Sequence, residues 1–233
     1  RPRKTEVLQA EEVVLKEREK DAIPVTLLID RFGYARSIDQ AVYERNKEAA
    51  DAESKVIVHC TSASRVCVFT DAGRAHILKM DDVPYGKFRE KGKPLDLLSG
   101  YDSSAENFLC AYPMEEIQDA ALVFVTEQGL AKQTEGAEFD TVSKRTIQAS
   151  KLQEGDKVIE VHPAAEGAHL VLATDGLFFL RFPISELPFK KRAAIGVRAI
   201  RLGDGDKVKQ VFWIEKGGPA PEIDIHGRKL RLS

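Results

Sequence analysis

The 233-residue chain is long enough for one large all-β domain or two small ones, and 43% apolar residues suffice for an ordinary core. Its 35 basic residues nearly cancel its 37 acidic ones, which excludes a general polycation and an acidic disordered tail. No apolar run is long enough to span a bilayer and no secretory leader opens the chain, so a cytoplasmic protein away from membranes is expected.

The charge is uneven along the chain. Residues 186–233 hold 11 Lys or Arg against 6 Asp or Glu, whereas residues 22–185 hold 18 against 25. Cys60, Cys67 and Cys110 are odd in number, lack CxxC spacing and sit in apolar stretches. They are expected to be core thiols in a reducing compartment.

Residues 1–21 carry six basic and six acidic side chains, and aliphatics such as Leu8, Val13 and Val14 are too few to build a buried face. Residues 1–22 are therefore expected to be a solvated linker with a helical bias. An opening on Arg1, not Met, is expected of a piece of a longer protein.

From residue 23 the texture changes to strands. Residues 25–39, VTLLIDRFGYARSID, read as a hairpin turning at Gly33. The same phrase returns at 65–80, at 121–136, at 169–183 with a shorter turn, and more weakly at 222–232. Their turn glycines are Gly33, Gly73, Gly129, Gly176 and Gly227, giving steps of 40, 56, 47 and 51 residues. Each glycine stands where a positive φ is wanted. A second repeat aligns residues 147–161 with 197–211 at an offset of 50, matching Gly155-Asp156-Lys157-Val158 to Gly205-Asp206-Lys207-Val208. Self-similarity at that period points to propeller blades. The strand cores, such as Val66-Cys67-Val68-Phe69, are continuously apolar, as expected of strands covered on both faces. Residues 23–233 are thus expected to form an all-β β-propeller or β-pinwheel of about five blades.

Between the hairpins lie longer connectors. Residues 41–54 are polar, free of Gly and Pro, and read as helical for a few turns. Residues 82–99 are basic with interleaved aromatics, carrying Tyr85, Lys87, Phe88, Arg89, Lys91 and Lys93. Residues 140–145 bring Lys144 and Arg145, and residues 188–198 bring Lys190, Lys191, Arg192 and Arg198.

No catalytic constellation stands out. His59, His76, His162, His169 and His226 are scattered without HxxxH or HExxH pairing, and such histidines are far more often satisfied or surface groups than ligands. Asp204-Gly205-Asp206 resembles the start of a calcium loop, but the glutamate that should close it is missing, so it reads as a turn. The basic clusters remain. A single one is usually a solvated face, but recurrence in phase with the repeat points to phosphate contacts along a rim, sequence-independent and salt-sensitive.

The hairpin phrase, with the Gly196-Val197-Arg198-Ala199-Ile200 and Gly-Asp-Lys-Val segments, resembles the C-terminal β-pinwheel domain of bacterial type IIA topoisomerase A subunits, which include those of DNA gyrase and topoisomerase IV. The resemblance covers nearly the whole chain. It implies a DNA-contacting basic residue soon after each turn glycine, which maps to Arg36, Arg74, Lys132 and Arg181, with Lys79 leaving the second hairpin. It implies duplex DNA as ligand, a homodimer of A subunits, an ATPase B subunit, and ATP and Mg²⁺ acting outside this domain, in the cytoplasm with the nucleoid. The cleavage tyrosine would lie outside this chain, and the domain alone would bend and position DNA without catalysis.

One departure bears on subtype. Gyrase carries a basic, glycine-rich box after a tyrosine, yet Tyr43 is followed by Glu44-Arg45-Asn46-Lys47-Glu48, without glycine. That favours the topoisomerase IV type over gyrase-type wrapping. Two readings from other classes stand beside it: an interaction propeller working through its acidic body, and an enzymatic propeller with a site in its channel.

Overall fold

The computed structural model describes residues 22–141, 145–225 and 228–231. The expected linker therefore lies outside the described residues, except for Ala22, as do Lys144, His226 and Gly227.

The first hairpin is β1 (Pro24–Asp30) and β2 (Tyr34–Asp39); two short helices, α1 (Gln40–Arg45) and α2 (Lys47–Glu53), lead to β3 (Ser54–Thr61). The second hairpin is β4 (Arg65–Thr70) and β5 (Arg74–Lys79), followed by a two-residue strand, β6 (Lys93–Pro94), helix α3 (Leu95–Leu98), β7 (Phe108–Pro113) and helix α4 (Met114–Ile117). The third is β8 (Ala121–Thr126) and β9 (Leu130–Glu135), followed by β10 (Thr146–Gln148) and β11 (Val158–Pro163). The fourth is β12 (His169–Thr174) and β13 (Phe179–Pro183), followed by β14 (Val197–Arg198) and β15 (Val208–Ile214). A last hairpin, β16 (Glu222–Ile225) and β17 (Arg228–Arg231), ends the described chain.

These strands form four antiparallel sheets and one two-stranded ribbon. Sheet A has the order β3-β1-β2-β6, sheet B β10-β5-β4-β7, sheet C β11-β8-β9-β14, and sheet D β13-β12-β15. The all-β expectation and the five repeat units are met, with the fifth present as the ribbon. Strand exchange is what links them. In sheets A, B and C the strand beside the second hairpin strand (β6, β10 and β14) comes from beyond the next hairpin in sequence, so each sheet holds a piece of chain that has already passed through its neighbour.

Continuous apolarity has the expected cause. Along β1, Leu27 and Ile29 pack with Val66 and Val68 of sheet B, while Leu28 turns to Tyr43 and Ala50 of the helices. Along β4, Cys67 and Phe69 turn to Leu122 and Phe124 of sheet C. Val123 and Val125 then meet Leu170 and Leu172 of sheet D, and Val171 faces Ile214 and Ile223. Alternate side chains of one strand thus enter two different interfaces. Two-sided burial removes the polar face that an open antiparallel sheet would show. Phe69 anchors the B–C interface, with ring centroids 5.3 Å from Phe139 and 5.8 Å from Phe124. The thiols behave as core groups, since burial pushes Cys60 up to about 11 and Cys67 well above its ordinary value.

The turns are held by short polar side chains. Asp30 accepts from the amides of Phe32 and Tyr34 at 2.8 and 3.0 Å, and Thr126 accepts from Leu130 at 3.1 Å. Gly33, Gly73 and Gly129 have φ of 82°, 70° and 80°, as the turn requires. The fourth turn differs. The shorter turn expected there is not found: Ala173 faces Phe179 across the same span as Phe69 and Ala75, but the glycine comes one residue early, so Leu177 takes the positive φ, 61°, in place of Gly176. The Gly-Asp-Lys-Val repeats serve the turns as well. Asp156 accepts from Gln128 N at 2.9 Å, and Asp206 accepts from Gly176 N at 2.9 Å, so each ties its own turn to the neighbouring hairpin. Of residues 41–54, those up to Glu53 are helical as expected, broken at Asn46, with Asp39 capping α1 through a 2.7 Å bond from Ala41 N.

Candidate nucleic-acid interface

The fourth strands of sheets A and C are reached by the same route. Ser37 N donates to Pro84 O at 2.8 Å and Gln133 N to Pro188 O at 3.0 Å. Gly86 N returns to Ser37 O at 3.1 Å, and Lys190 N to Gln133 O at 2.8 Å. Glu90 N donates to Lys87 O and Ala194 N to Lys191 O, closing a turn in each. Leu95 N and Ala199 N finally dock on Gly33 O and Gly129 O, both at 2.9 Å. Residues 84–95 and 188–199 therefore superpose in hydrogen bonding at a constant offset of 104. A Cβ at Gly196 would lie 2.8 Å from Ala131 O, and one at Gly92 would overlap Ala35 O, so both returns need glycine. In sheet B the matching anchors, Arg145 O to Ile77 N and Ala149 N to Gly73 O, are only four residues apart. Sheets A and C thus each carry a seven-residue excursion, residues 85–91 and 189–195, that sheet B omits.

The excursions gather much of the expected basic set. Lys87, Arg89 and Lys91 are exposed on the first, with Lys93 just beyond it, and Lys190, Lys191 and Arg198 on or beside the second. Arg192 is half-buried, its amide donating to Glu138 at 3.0 Å. Glu138 also pairs with the largely exposed Lys191 at 3.2 Å, and hydrogen bonds from Lys191 and the Arg192 amide help hold its carboxyl below the usual range although burial opposes them. Lys91 lies over the Tyr34 ring at 4.4 Å. Elsewhere Arg74, Lys79, Arg145 and Arg181 are exposed but stand outside the excursions.

Two of the expected contacts are drawn inward. Arg36, His76, Lys132 and Leu180 occupy one position in the four hairpins, opposite Leu28, Val68, Phe124 and Leu172. Lys132 is fully buried. Its ammonium lies 2.8–3.2 Å from four backbone carbonyls, those of Ala149, Lys191, Arg192 and Ala194. Burial pushes it down to about 8, with Glu138 opposing. An ammonium so enclosed offers nothing to a phosphate, and the expected DNA contact at Lys132 gives way to a brace under the second excursion. Arg36 is mostly covered too, sitting 3.5 Å from Glu53 and 5.5 Å from the Phe88 ring centre. It meets the first excursion through the Phe88 ring and not through carbonyls.

In sheet B the position holds His76, fully buried between Thr146 at 3.0 Å and Glu106 at 2.8 Å. Burial holds it below its ordinary value, against the pull of Glu106. The nearby Arg74 lies 3.9 Å from the same carboxylate. Nε2 donates to Glu106 and Nδ1 accepts from Thr146, which suits a neutral ring. Leu180 braces nothing, because sheet D has no fourth strand among the described residues.

Sequence reasoning missed Arg201. It lines an open cleft with Arg198, Gln128 and Gln153. The signal was present, since its counterpart across the 50-residue repeat is Lys151. Among the described residues no group of three or more His, Cys, Asp or Glu is placed to hold a metal ion. No helix among them is long and apolar enough to cross a membrane.

Residues 120–165 and 168–212 match the family model of the DNA gyrase C-terminal domain, a β-propeller. The chain is 25% identical over 235 residues to the gyrase A protein of Lawsonia intracellularis, covering 95% of this chain and 28% of that one. It is 28% identical to the gyrase A protein of Rickettsia bellii, covering 83% and 22%. The chain thus spans about a quarter of the length of these relatives. Its fold is similar to a crystal structure of the C-terminal domain of DNA topoisomerase IV, with a TM-score of 0.76 at 19% identity, covering 85% of this chain and 64% of that one. The E. coli ParC C-terminal domain gives 0.74 at 18% identity, over 90% and 86%. A DNA gyrase A C-terminal domain gives 0.55 at 13% identity, over 81% and 64%.

Proposed function

We propose, from the premise that this chain belongs to the C-terminal β-propeller domain family of type IIA topoisomerase A subunits, that it binds and bends duplex DNA along its two basic excursions. One observation carries the reading. Two segments of different sequence repeat one hydrogen-bonded path and each present Lys or Arg outward, where solubility alone requires no such match. Exposed Lys and Arg so placed neutralise phosphates without reading bases. The remaining exposed residues of the basic set, Arg74, Lys79, Arg145 and Arg181, extend the contact along the other sheets.

The domain positions a duplex, in this reading, for strand passage by a larger assembly: a dimer of A subunits with an ATPase B subunit. The ATP and Mg²⁺ of that assembly act outside this domain in the same reading, and the cleaving tyrosine belongs to another part of it. The topoisomerase IV type, relaxing and decatenating, is favoured over gyrase-type wrapping. In support, the stretch after Tyr43 is folded into α1 and α2 against sheet A and is no basic loop. The names of the relatives in sequence weigh the other way.

Ligation of nicked circular DNA with the purified chain decides between them. Binding that weakens steeply with salt and leaves linking number unchanged is the expected result. A clear positive shift would assign gyrase-type wrapping. No binding at any salt would leave an interaction propeller working through its acidic surface.

A further inference from the structure

We infer that Tyr85 and Phe189 are a matched pair of apolar contacts to the deoxyribose edge of bound duplex, supplying affinity that salt does not screen. The inference rests on the DNA-binding reading above.

The two excursions differ almost everywhere: residues 85–91 read YGKFREK and residues 189–195 read FKKRAAI. At matched places they share an aromatic residue at the first position and a lysine at the third, between a common proline before and a common glycine after. The fold accounts for the outer two. Pro84 and Pro188 offer the carbonyls that dock on β2 and β9, and Gly92 and Gly196 permit the close return. It does not account for the aromatic rings. Tyr85 is 57% exposed and Phe189 54% exposed, and each projects into solvent from backbone pinned to a buried strand. Parallel bridges, Ser37 with Tyr85 and Gln133 with Phe189, fix that backbone.

A lone exposed aromatic needs no explanation, but an exposed ring at the same place on two loops of otherwise different sequence does. Lys87 and Lys191 follow two residues later, so ring and ammonium leave one rigid turn together. A duplex offers the matching pair of chemistries along its backbone, apolar sugar faces alternating with phosphates. A ring resting on sugar reads no base and preserves sequence independence. The covered ring adds a contribution from apolar burial, which is not screened as charge pairing is.

The test measures the affinity of the 233-residue chain for a mixed-sequence duplex across a salt series, by fluorescence anisotropy. The double variant Tyr85→Ala/Phe189→Ala is expected to bind about tenfold more weakly at every salt concentration, with the slope of log affinity against log salt unchanged. Lys87→Ala/Lys191→Ala is expected to flatten that slope by about two. Tyr85→Phe, which keeps the ring and removes only the hydroxyl, should bind as the parent does. Both rings are exposed, so thermal unfolding should confirm that the variants fold. Parent-like binding by the double alanine variant would overturn the inference and leave the DNA reading intact, as would a slope change matching that of the lysine variant. Absence of binding by the parent chain would instead remove the DNA reading, and the inference with it.

Discussion

Lys132 shows how a side chain of the expected type at the expected place serves another purpose. Four carbonyls surround its ammonium, and two of them belong to Lys191 and Arg192, whose side chains are the candidates for phosphate contact. Lys132→Met leaves those acceptors unpaired in a buried site and is expected to cost about 3 kcal/mol in urea unfolding. Salt-dependent DNA binding should weaken with it, although residue 132 touches no solvent. His76 gives a pH dependence of known sign. Its folded pKa lies below the ordinary 6.5, so between the two values the unfolded chain binds a proton that the folded chain does not. Stability is therefore fully present above about pH 6.5 and declines as pH falls below it. Urea midpoints should fall on acidification, and His76→Gln should be less stable at neutral pH but flatter across that window.

At the scale of elements, the hairpins were legible in the sequence because their chemistry is local. An apolar run, a short polar residue, a glycine and a second run specify one turn, and Gly33, Gly73 and Gly129 adopt it. The exchanged strands were not legible. β6, β10 and β14 are two or three residues long, and each is recruited by a carbonyl on a turn glycine more than sixty residues away in sequence. No periodicity marks a strand of that length. The inward turn of Lys132 was hidden for the same reason, since its acceptors arrive with the exchanged segment. Gly136 is a further case of close approach without a local signal. A Cβ there would overlap the Ile117 carbonyl and come within 2.7 Å of Ala120 O. Gly136→Ala must displace the α4 end, and a loss of about 2 kcal/mol is expected from thermal unfolding.

Over the whole molecule, the basic signal in the sequence resolves into two raised loops on alternate sheets with a lower sheet between them. Replacing residues 85–91 by the direct route of sheet B should remove about two phosphate contacts and flatten the salt dependence of DNA binding accordingly. Loss of affinity without that flattening would mean that the loop does not carry the charge contact. The strand exchange reaches further, into how the chain is made. Sheet A cannot finish until β6 has been synthesised, and Lys93 is the 54th residue after the end of β2 at Asp39. At roughly 5–20 residues per second, the edge of β2 waits some seconds on the ribosome with its pairing groups bare. The same wait passes to β5 and then to β9, one edge at a time. Each emerging hairpin is thus a transient client for whatever guards nascent strands. A slow codon between residues 39 and 93 prolongs the exposure of β2, whereas the same codon after residue 94 spares it.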